Sequence, residues 1–199
     1  MSYRKEKKYR LSLSDMAYLK NYLLNEGMKS LFPQRVIKSC YFDTENLTFY
    51  QESEEGVLPR KKIRIRWYNN ESTYTKEVKI SSIEGRFKYT KDQQSIDSFE
   101  KICQIKFFDK DYGLVSPSLM VSYKREYFEL SKMRLTFDTN LSYQYLRSHF
   151  SKTFRDPECV MEVKVPMSCT DDYIESLVNH PTSRFSKYSR GLLFLNGML

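Results

Sequence analysis

Residues 60–68 read RKKIRIRWY. A β-strand turns successive side chains to opposite faces. As a strand, this stretch places Lys62, Arg64 and Arg66 on one face and Ile63, Ile65 and Trp67 on the other. A helix would scatter the same residues around its circumference. The alternation therefore requires a sheet with one apolar face, and it requires a place for a row of cations on the other.

The pattern recurs along the chain. In YRKEKKYRL (residues 3–11), Glu6, Lys8 and Arg10 share a face. In TYTKEVKIS, Glu77 and Lys79 do so. In SYKREYF, Arg125 alternates with Lys124 and Glu126. In MRLTFDT, Arg134, Thr136 and Asp138 oppose Leu135 and Phe137; in VMEVKV, Glu162 and Lys164 oppose Met161, Val163 and Val165. One amphipathic strand needs only a solvated polar face. Repeated over many strands, the pattern fits either an open sheet with its charged face in water or a barrel with that face turned inward and helices over the apolar outside. In the inward case each like-charge pair at about 4–8 Å costs on the order of 2–4 kcal/mol at an effective dielectric near 20. Interspersed carboxylates and a bound polyanion would offset that cost. A phosphate chain suits such a lining, because Arg binds phosphate oxygens bidentately and Lys adds point charge. The glutamates could hold a divalent cation that bridges to the phosphates.

Strand signals dominate the rest. A helix is predicted from about residue 14 to 26, with Ser12 or Ser14 as cap, Met16, Leu19, Tyr22 and Leu23 as its stripe, and Gly27 as its end. VIKSCYFDT (36–44) reads as a strand and LTFYQES as a short helical turn. NNES joins RKKIRIRWY to TYTKEVKIS as a hairpin, and GRFKYT (85–90) is a further short strand. Residues 92–106 are predicted helical on Ile96, Phe99, Ile102 and Cys103. A second hairpin turns at Ser131-Lys132, CVMEVKVP is a strand, Thr170 caps a helix over DDYIESLVNH, and RFSKYSRGLLFL closes the chain. Seven or eight antiparallel strands with few helices predict a closed or nearly closed β-structure in one domain, 1–199.

The 199 residues carry a net charge of +8, with a pI near 9.2, which points to an anionic partner. Cys40, Cys103, Cys159 and Cys169 form no CxxC pair, and His149 and His180 stand at no metal-ligand spacing. Reduced, buried thiols are expected. No signal peptide and no membrane-spanning run is evident, so a cytoplasmic location is expected, with any work at a membrane depending on a membrane-associated partner protein. Nucleic acid is not the expected ligand. The cations alternate with carboxylates, and tyrosines such as Tyr68, Tyr123 and Tyr127 read as core or rim residues, not stacking platforms.

The pieces RKEKKYRLS, YFDTENLTFY, IRIRWY, EVKI, YKREYFE, MRLTFDTNL, VMEVKVP and RFSKYSRG occur in this order over nearly the whole chain. Together they resemble the VTC domain, the polyphosphate polymerase domain of the triphosphate tunnel metalloenzyme (CYTH-like) superfamily. The resemblance implies an α+β, mainly antiparallel fold: an eight-stranded triphosphate-tunnel barrel with flanking helices. It implies a phosphotransferase that moves the γ-phosphate of a nucleoside triphosphate onto polyphosphate, with Mn²⁺ or Mg²⁺. Carried over, the phosphate ligands are Lys8, Arg64, Arg66, Lys79, Lys88, Arg125, Arg134, Lys164 and Lys187, with Arg86 as a further lumen candidate. Arg64, Arg66, Arg125, Arg134 and Lys187 would be catalytic, and Glu162, with Glu6 and Glu77, would hold the metal. Eukaryotic polymerases of the family add a phosphate-sensing domain and membrane helices; the expectation here is a stand-alone, bacterial-type member. A metal-dependent triphosphatase and a non-catalytic polyphosphate- or nucleotide-binding module are the alternatives.

Overall fold

The computed structural model describes residues 4–95, 98–147, 152–195 and Gly197. Tyr3, Ile96 and His149 lie outside the described residues. The elements run β1 (Arg4–Leu11), α1 (Leu13–Asn25), β2 (Lys29–Asp43), α2 (Thr48–Glu55), β3 (Arg60–Tyr68), β4 (Thr73–Ser82), β5 (Gly85–Ser95), α3 (Phe99–Gln104), β6 (Phe107–Asp109), β7 (Gly113–Leu130), β8 (Met133–Tyr145), β9 (Thr153–Arg155), β10 (Cys159–Pro166), α4 (Asp171–Leu177) and α5 (Lys187–Leu195). Eight strands follow one hydrogen-bonded path, β1-β10-β8-β7-β2-β3-β4-β5, with β6 added on β7 and β9 on β8. The fold is mainly antiparallel β with flanking helices, as expected. Among the described residues no helix is long and apolar enough to cross a membrane.

The chain divides into two compact units. The first comprises Met1–Val36, Tyr123–Leu141 and Arg155–Phe185. Its core joins Tyr9 and Leu11 of β1, Phe128 and Leu130 of β7, Leu135 and Phe137 of β8, and Met161, Val163 and Val165 of β10. These are the apolar halves of alternating strands. Helix α1 covers them with Met16, Leu19 and Leu23, and α4 with Ile174. Ser12 starts α1 by accepting a hydrogen bond from the Asp15 amide on its Oγ, and Gly27, at φ +95°, supplies the left-handed turn beyond its end. Tyr22 is partly exposed and leaves the stripe to the other three. Thr170 caps α4, accepting from the Tyr173 amide.

The second unit comprises Ile37–Ser122, Ser142–Phe154 and Ser186–Leu199. Cys40 and Phe42 of β2, Ile63, Ile65 and Trp67 of β3, Tyr74 of β4, Phe49 of α2 and Ile102 of α3 form its core. Helix α5 packs Tyr188 on Tyr41, ring centroids 5.1 Å apart and stacked at 18°. Gly191 permits the approach, since a Cβ there would lie 2.6 Å from both Leu119 Cδ2 and Tyr143 Cδ1.

Three expectations are corrected. Residues 92–106 are not one helix: β5 runs to Ser95, paired with β4 through Tyr74↔Gln94 and Thr73↔Ser95. Tyr74 also hydrogen-bonds Gln94 through its hydroxyl. Strand pairing overrides the local helical spacing, and only the six residues Phe99–Gln104, capped by Ser98, are helical. Strand β2 begins at Lys29, seven residues before the expected start, because it pairs through its backbone while KSLFPQR carries no clear alternation. Cys40 and Cys159 are buried, whereas Cys103 is exposed and Cys169 only partly covered.

The α5 contact yields a stability test. Gly191→Ala should lower unfolding free energy by about 1–3 kcal/mol through overpacking against Leu119 and Tyr143. Urea denaturation measures it, and an unchanged midpoint would mean that the helix does not sit this close.

Candidate functional site

The sequence expected charged side chains to gather on the faces opposite the cores. In the first unit, register alone aligns them. Lys8 faces Glu162 and Glu6 faces Lys164 across β1 and β10; Glu162 faces Thr136 and Lys164 faces Arg134 across β10 and β8. Arg125 is held on Asp138 by two hydrogen bonds, Nε to Oδ1 and Nη2 to Oδ2 at 2.6 Å. Asp138 is fully buried. The Arg125 Nη2 also reaches Glu162 Oε2 at 3.4 Å, and Lys164 Nζ lies 3.3 Å from Glu162 Oε1. Lys8 Nζ lies 3.4 Å from Glu6 and donates to the Phe185 carbonyl at 3.1 Å. Burial would raise the Glu162 carboxyl, but Lys164, a hydrogen bond with Glu6, Arg125 and Lys8 outweigh it and hold the group well below the usual carboxylate range. It is ionised at any ordinary pH.

Arg134 is different. It is exposed, lies over the Phe32 ring at 5.6 Å, and lines a cleft of about 170 Å³ with Lys132, Lys164, Val165 and Pro166. Lys132 was not singled out in the sequence, although it precedes Arg134 by two and shares its strand parity. Asp138 was placed on the charged face without a role; its role is to fix Arg125.

Among the described residues no group of three or more His, Cys, Asp or Glu is placed to hold a metal ion. The donor set in the first unit still fits a hard cation that takes part of its shell from a ligand. Glu6 and Glu162 flank the same cation, with Lys164 Nζ 3.9 Å from Glu6 Oε2 and 3.3 Å from Glu162 Oε1. Thr136 Oγ1, on the residue paired with Glu162, is buried with no hydrogen-bond partner. Mg²⁺ or Mn²⁺ bound through one or two carboxylates plus phosphate oxygens matches that oxygen set.

In the second unit the charged face belongs to β2, β3, β4 and β5. Tyr41 faces Arg64 and Ser39 faces Arg66 across β2 and β3; Arg64 faces Glu77 and Lys62 faces Lys79 across β3 and β4; Lys79 faces Lys88 across β4 and β5. Arg64 donates from Nε to Glu77 Oε2 at 2.7 Å and from Nη1 to the Tyr41 hydroxyl at 3.0 Å. Lys88 Nζ takes the other Glu77 oxygen at 2.7 Å. Arg66 is buried and donates to Ser39 Oγ at 3.0 Å. Lys62 Nζ donates to Ser186 Oγ at 3.0 Å, directly before Lys187, the first residue of α5. Arg86 is exposed on β5.

Two features escaped the sequence. Lys61 and Lys76 lie on the apolar face: Lys61 is buried on Asp109 and Asp111, and Lys76 sits over the Phe107 ring. The Tyr41 hydroxyl, not singled out in the sequence, is on the charged face and accepts from Arg64. Only its place opposite Arg64 could have revealed this. Burial would raise Glu77, but Arg64, Arg66 and Lys88 pull it down to about 2. With both oxygens on cations, Glu77, one of the carboxylates expected to hold the metal, braces the row.

A family model described as the VTC domain matches residues 3–196. A search of curated proteins finds no match. Among solved structures, a conserved hypothetical protein from Pyrococcus furiosus has a TM-score of 0.55 at 14% identity, over 94% of this chain and 99% of that one. A Pyrococcus horikoshii OT3 protein gives 0.53 at 13% identity, over 96% and 99%. A Hippeastrum protein described as having a dominant triphosphatase activity gives 0.50 at 14% identity, over 98% and 96%. At these identities the likeness is one of fold.

The depressed Glu77 carboxyl sets a pH dependence. Its contribution to stability is full above the ordinary carboxylate value of 4.5 and is lost as pH falls toward about 2. Comparing wild type with Glu77→Gln in denaturant titrations should show the variant less stable by on the order of 2–3 kcal/mol at pH 6, with the gap closing by pH 2. A constant gap would place the effect outside this ionisation.

Proposed function

The chain belongs to the VTC-domain family, and on that premise we propose that it is a metal-dependent phosphotransferase that extends polyphosphate from a nucleoside triphosphate. The observation that supports this most is the surplus of cations on the two charged faces. On the first face Lys8, Arg125, Arg134 and Lys164 stand against Glu6, Asp138 and Glu162; on the second Arg64, Arg66, Lys79 and Lys88 stand against Glu77. Each face therefore keeps a surplus of cations, which suits the phosphates of a polyanion.

Phosphoryl transfer asks a protein for alignment and charge stabilisation, not covalent chemistry. The terminal oxygen of the polyphosphate forms a bond to the γ-phosphorus, the bond to the β,γ-bridging oxygen breaks, and the nucleoside diphosphate leaves with that oxygen. The nucleophile is already an anion, so no strong base is required. In this reading Arg64, Arg66, Arg125 and Arg134 hold phosphate oxygens, and Lys8, Lys79, Lys88, Lys164 and Lys187 neutralise charge along the chain. Glu162 and Glu6 would hold Mn²⁺ or Mg²⁺, which supplies further charge neutralisation at the phosphates. A second reading, hydrolysis with water as the acceptor, draws on the triphosphatase description of the Hippeastrum protein with this fold.

Incubation with ATP, Mn²⁺ and a short polyphosphate primer, followed by sizing on a gel, separates these readings. Longer chains are expected. Orthophosphate alone would establish hydrolysis, and binding without turnover would leave a binding module. Arg134→Ala should weaken tripolyphosphate binding by about 1.5–3 kcal/mol, as for charge-assisted hydrogen bonds. Lys124→Ala, on the exposed opposite face of β7, should leave it unchanged in the same calorimetric titration. Equal losses would mean that the assigned face is wrong.

A further inference from the structure

Tyr41 sits where an anion-binding face would not be expected to place a bulky aromatic. It lies on β2 opposite Arg64, and it is 7% exposed. Its ring is fixed from behind by the stack on Tyr188, whose own hydroxyl is tied to Asp43. Its oxygen is aimed at the cations. The Arg64 guanidinium is thereby shared: Nε and Nη2 go to Glu77, and Nη1 goes to the phenol oxygen. Nη1 is thus spent on a phenol oxygen, an exchangeable acceptor of the kind that a phosphate oxygen could replace.

We propose that Tyr41 is a phosphate-responsive positioning residue: its phenol oxygen holds Arg64 while the face is free of anion, then yields that guanidinium to an arriving phosphoryl group and donates its own proton-bearing oxygen to the same group. This rests on the phosphate-binding reading of the face and names a further residue in it.

The charges around the phenol make the exchange proton-linked. Arg64 and Arg66 face it from β3, Glu77 and Lys79 from β4, and Lys88 from β5 through Glu77. On its other side stand Tyr188 of α5 and, beyond that, Asp43 of β2. Burial would raise the phenol, but Arg64, Arg66, the hydrogen bond from Arg64 and Lys79 outweigh it and bring it from 10 down to about 7. Near neutral pH the phenol of the anion-free face therefore releases its proton to solvent in part of the molecules. A bound phosphoryl anion cancels the field that favoured the phenolate, so the oxygen takes a proton back from solvent. Binding thus consumes up to one proton, and affinity falls as pH rises through about 7.

Phenolate absorbs near 295 nm, so the ionisation can be followed directly. Wild type and Tyr41→Phe, which keeps the ring stack, are titrated from pH 5.5 to 9 with and without saturating inorganic tripolyphosphate. Binding is verified by calorimetry in the same buffers. The wild type should show one tyrosine ionising near pH 7, far from ordinary tyrosines near 10. Tyr41→Phe should lack that step, and tripolyphosphate should move it up by one pH unit or more. Absence of the step overturns the proposal, as does a step that stays in place in protein with bound tripolyphosphate; the latter leaves the phosphate-binding reading intact. If tripolyphosphate binds neither protein, both readings fall. Should Tyr41→Phe not fold, the wild-type step and its displacement by tripolyphosphate decide the matter alone.

Discussion

A guanidinium taken out of water is costly unless a carboxylate and hydrogen bonds go with it. The charged strand faces of this chain depend on meeting that condition. Arg125 meets it with Asp138, a carboxylate with no exposed surface, in a paired geometry that fixes the plane of the guanidinium. Arg64 meets it with Glu77, which Lys88 shares. These carboxylates let cations stand in rows on neighbouring strands without the rows repelling one another apart, and they hold the donors in place before any ligand arrives.

The cores follow from the same alternation. On β3, β8 and β10 the charged residues Arg64, Arg66, Arg134, Glu162 and Lys164 each stand next to apolar ones, so fixing the charged face fixes the apolar face. Helices α1 and α4 in one unit, and α2 and α3 in the other, bury that apolar face. Helix α5 is the exception, since its Tyr188 stacks on Tyr41 and thus meets the side of β2 that also carries Ser39. Its start brings Ser186 to Lys62, which ties the chain's last element to the cationic row.

Much of this was legible because a strand period of two is a hard geometric rule. The parity of Arg64, Arg66, Glu77, Arg134, Glu162 and Lys164 could be read directly from β3, β4, β8 and β10, and the strand pairing agrees with it. What could not be read depends on partners distant in sequence. Lys61 looks like one more surface lysine until Asp109 and Asp111 close on it from 48 and 50 residues away. The strand residues 92–95 read as helical because their partner, β4, supplies the hydrogen bonds that their own pattern does not announce. A carboxylate among cations, such as Glu77, has two meanings in a sequence, ligand or brace, and its pairing with Arg64 and Lys88 depends on partners the local pattern does not announce.

That distinction divides the two charged faces chemically. In the first unit Glu162 has cations near both oxygens, but at 3.3–3.4 Å, and beside it stand Glu6 and the unpartnered Thr136 hydroxyl. Contacts of that length can be exchanged for a divalent ion and phosphate oxygens at modest cost. In the second unit Glu77 is held at 2.7 Å by both Arg64 and Lys88, and its carboxyl is pulled down to about 2. Dislodging those cations would strand a buried charge, so this face offers donors and little else. Its adjustable acceptor is the Tyr41 phenol, which can surrender Arg64 without leaving an unpaired carboxylate behind. In the proposed function a metal would therefore belong to the Glu162 face, and a clamp that answers to the charge of its ligand to the Arg64 face.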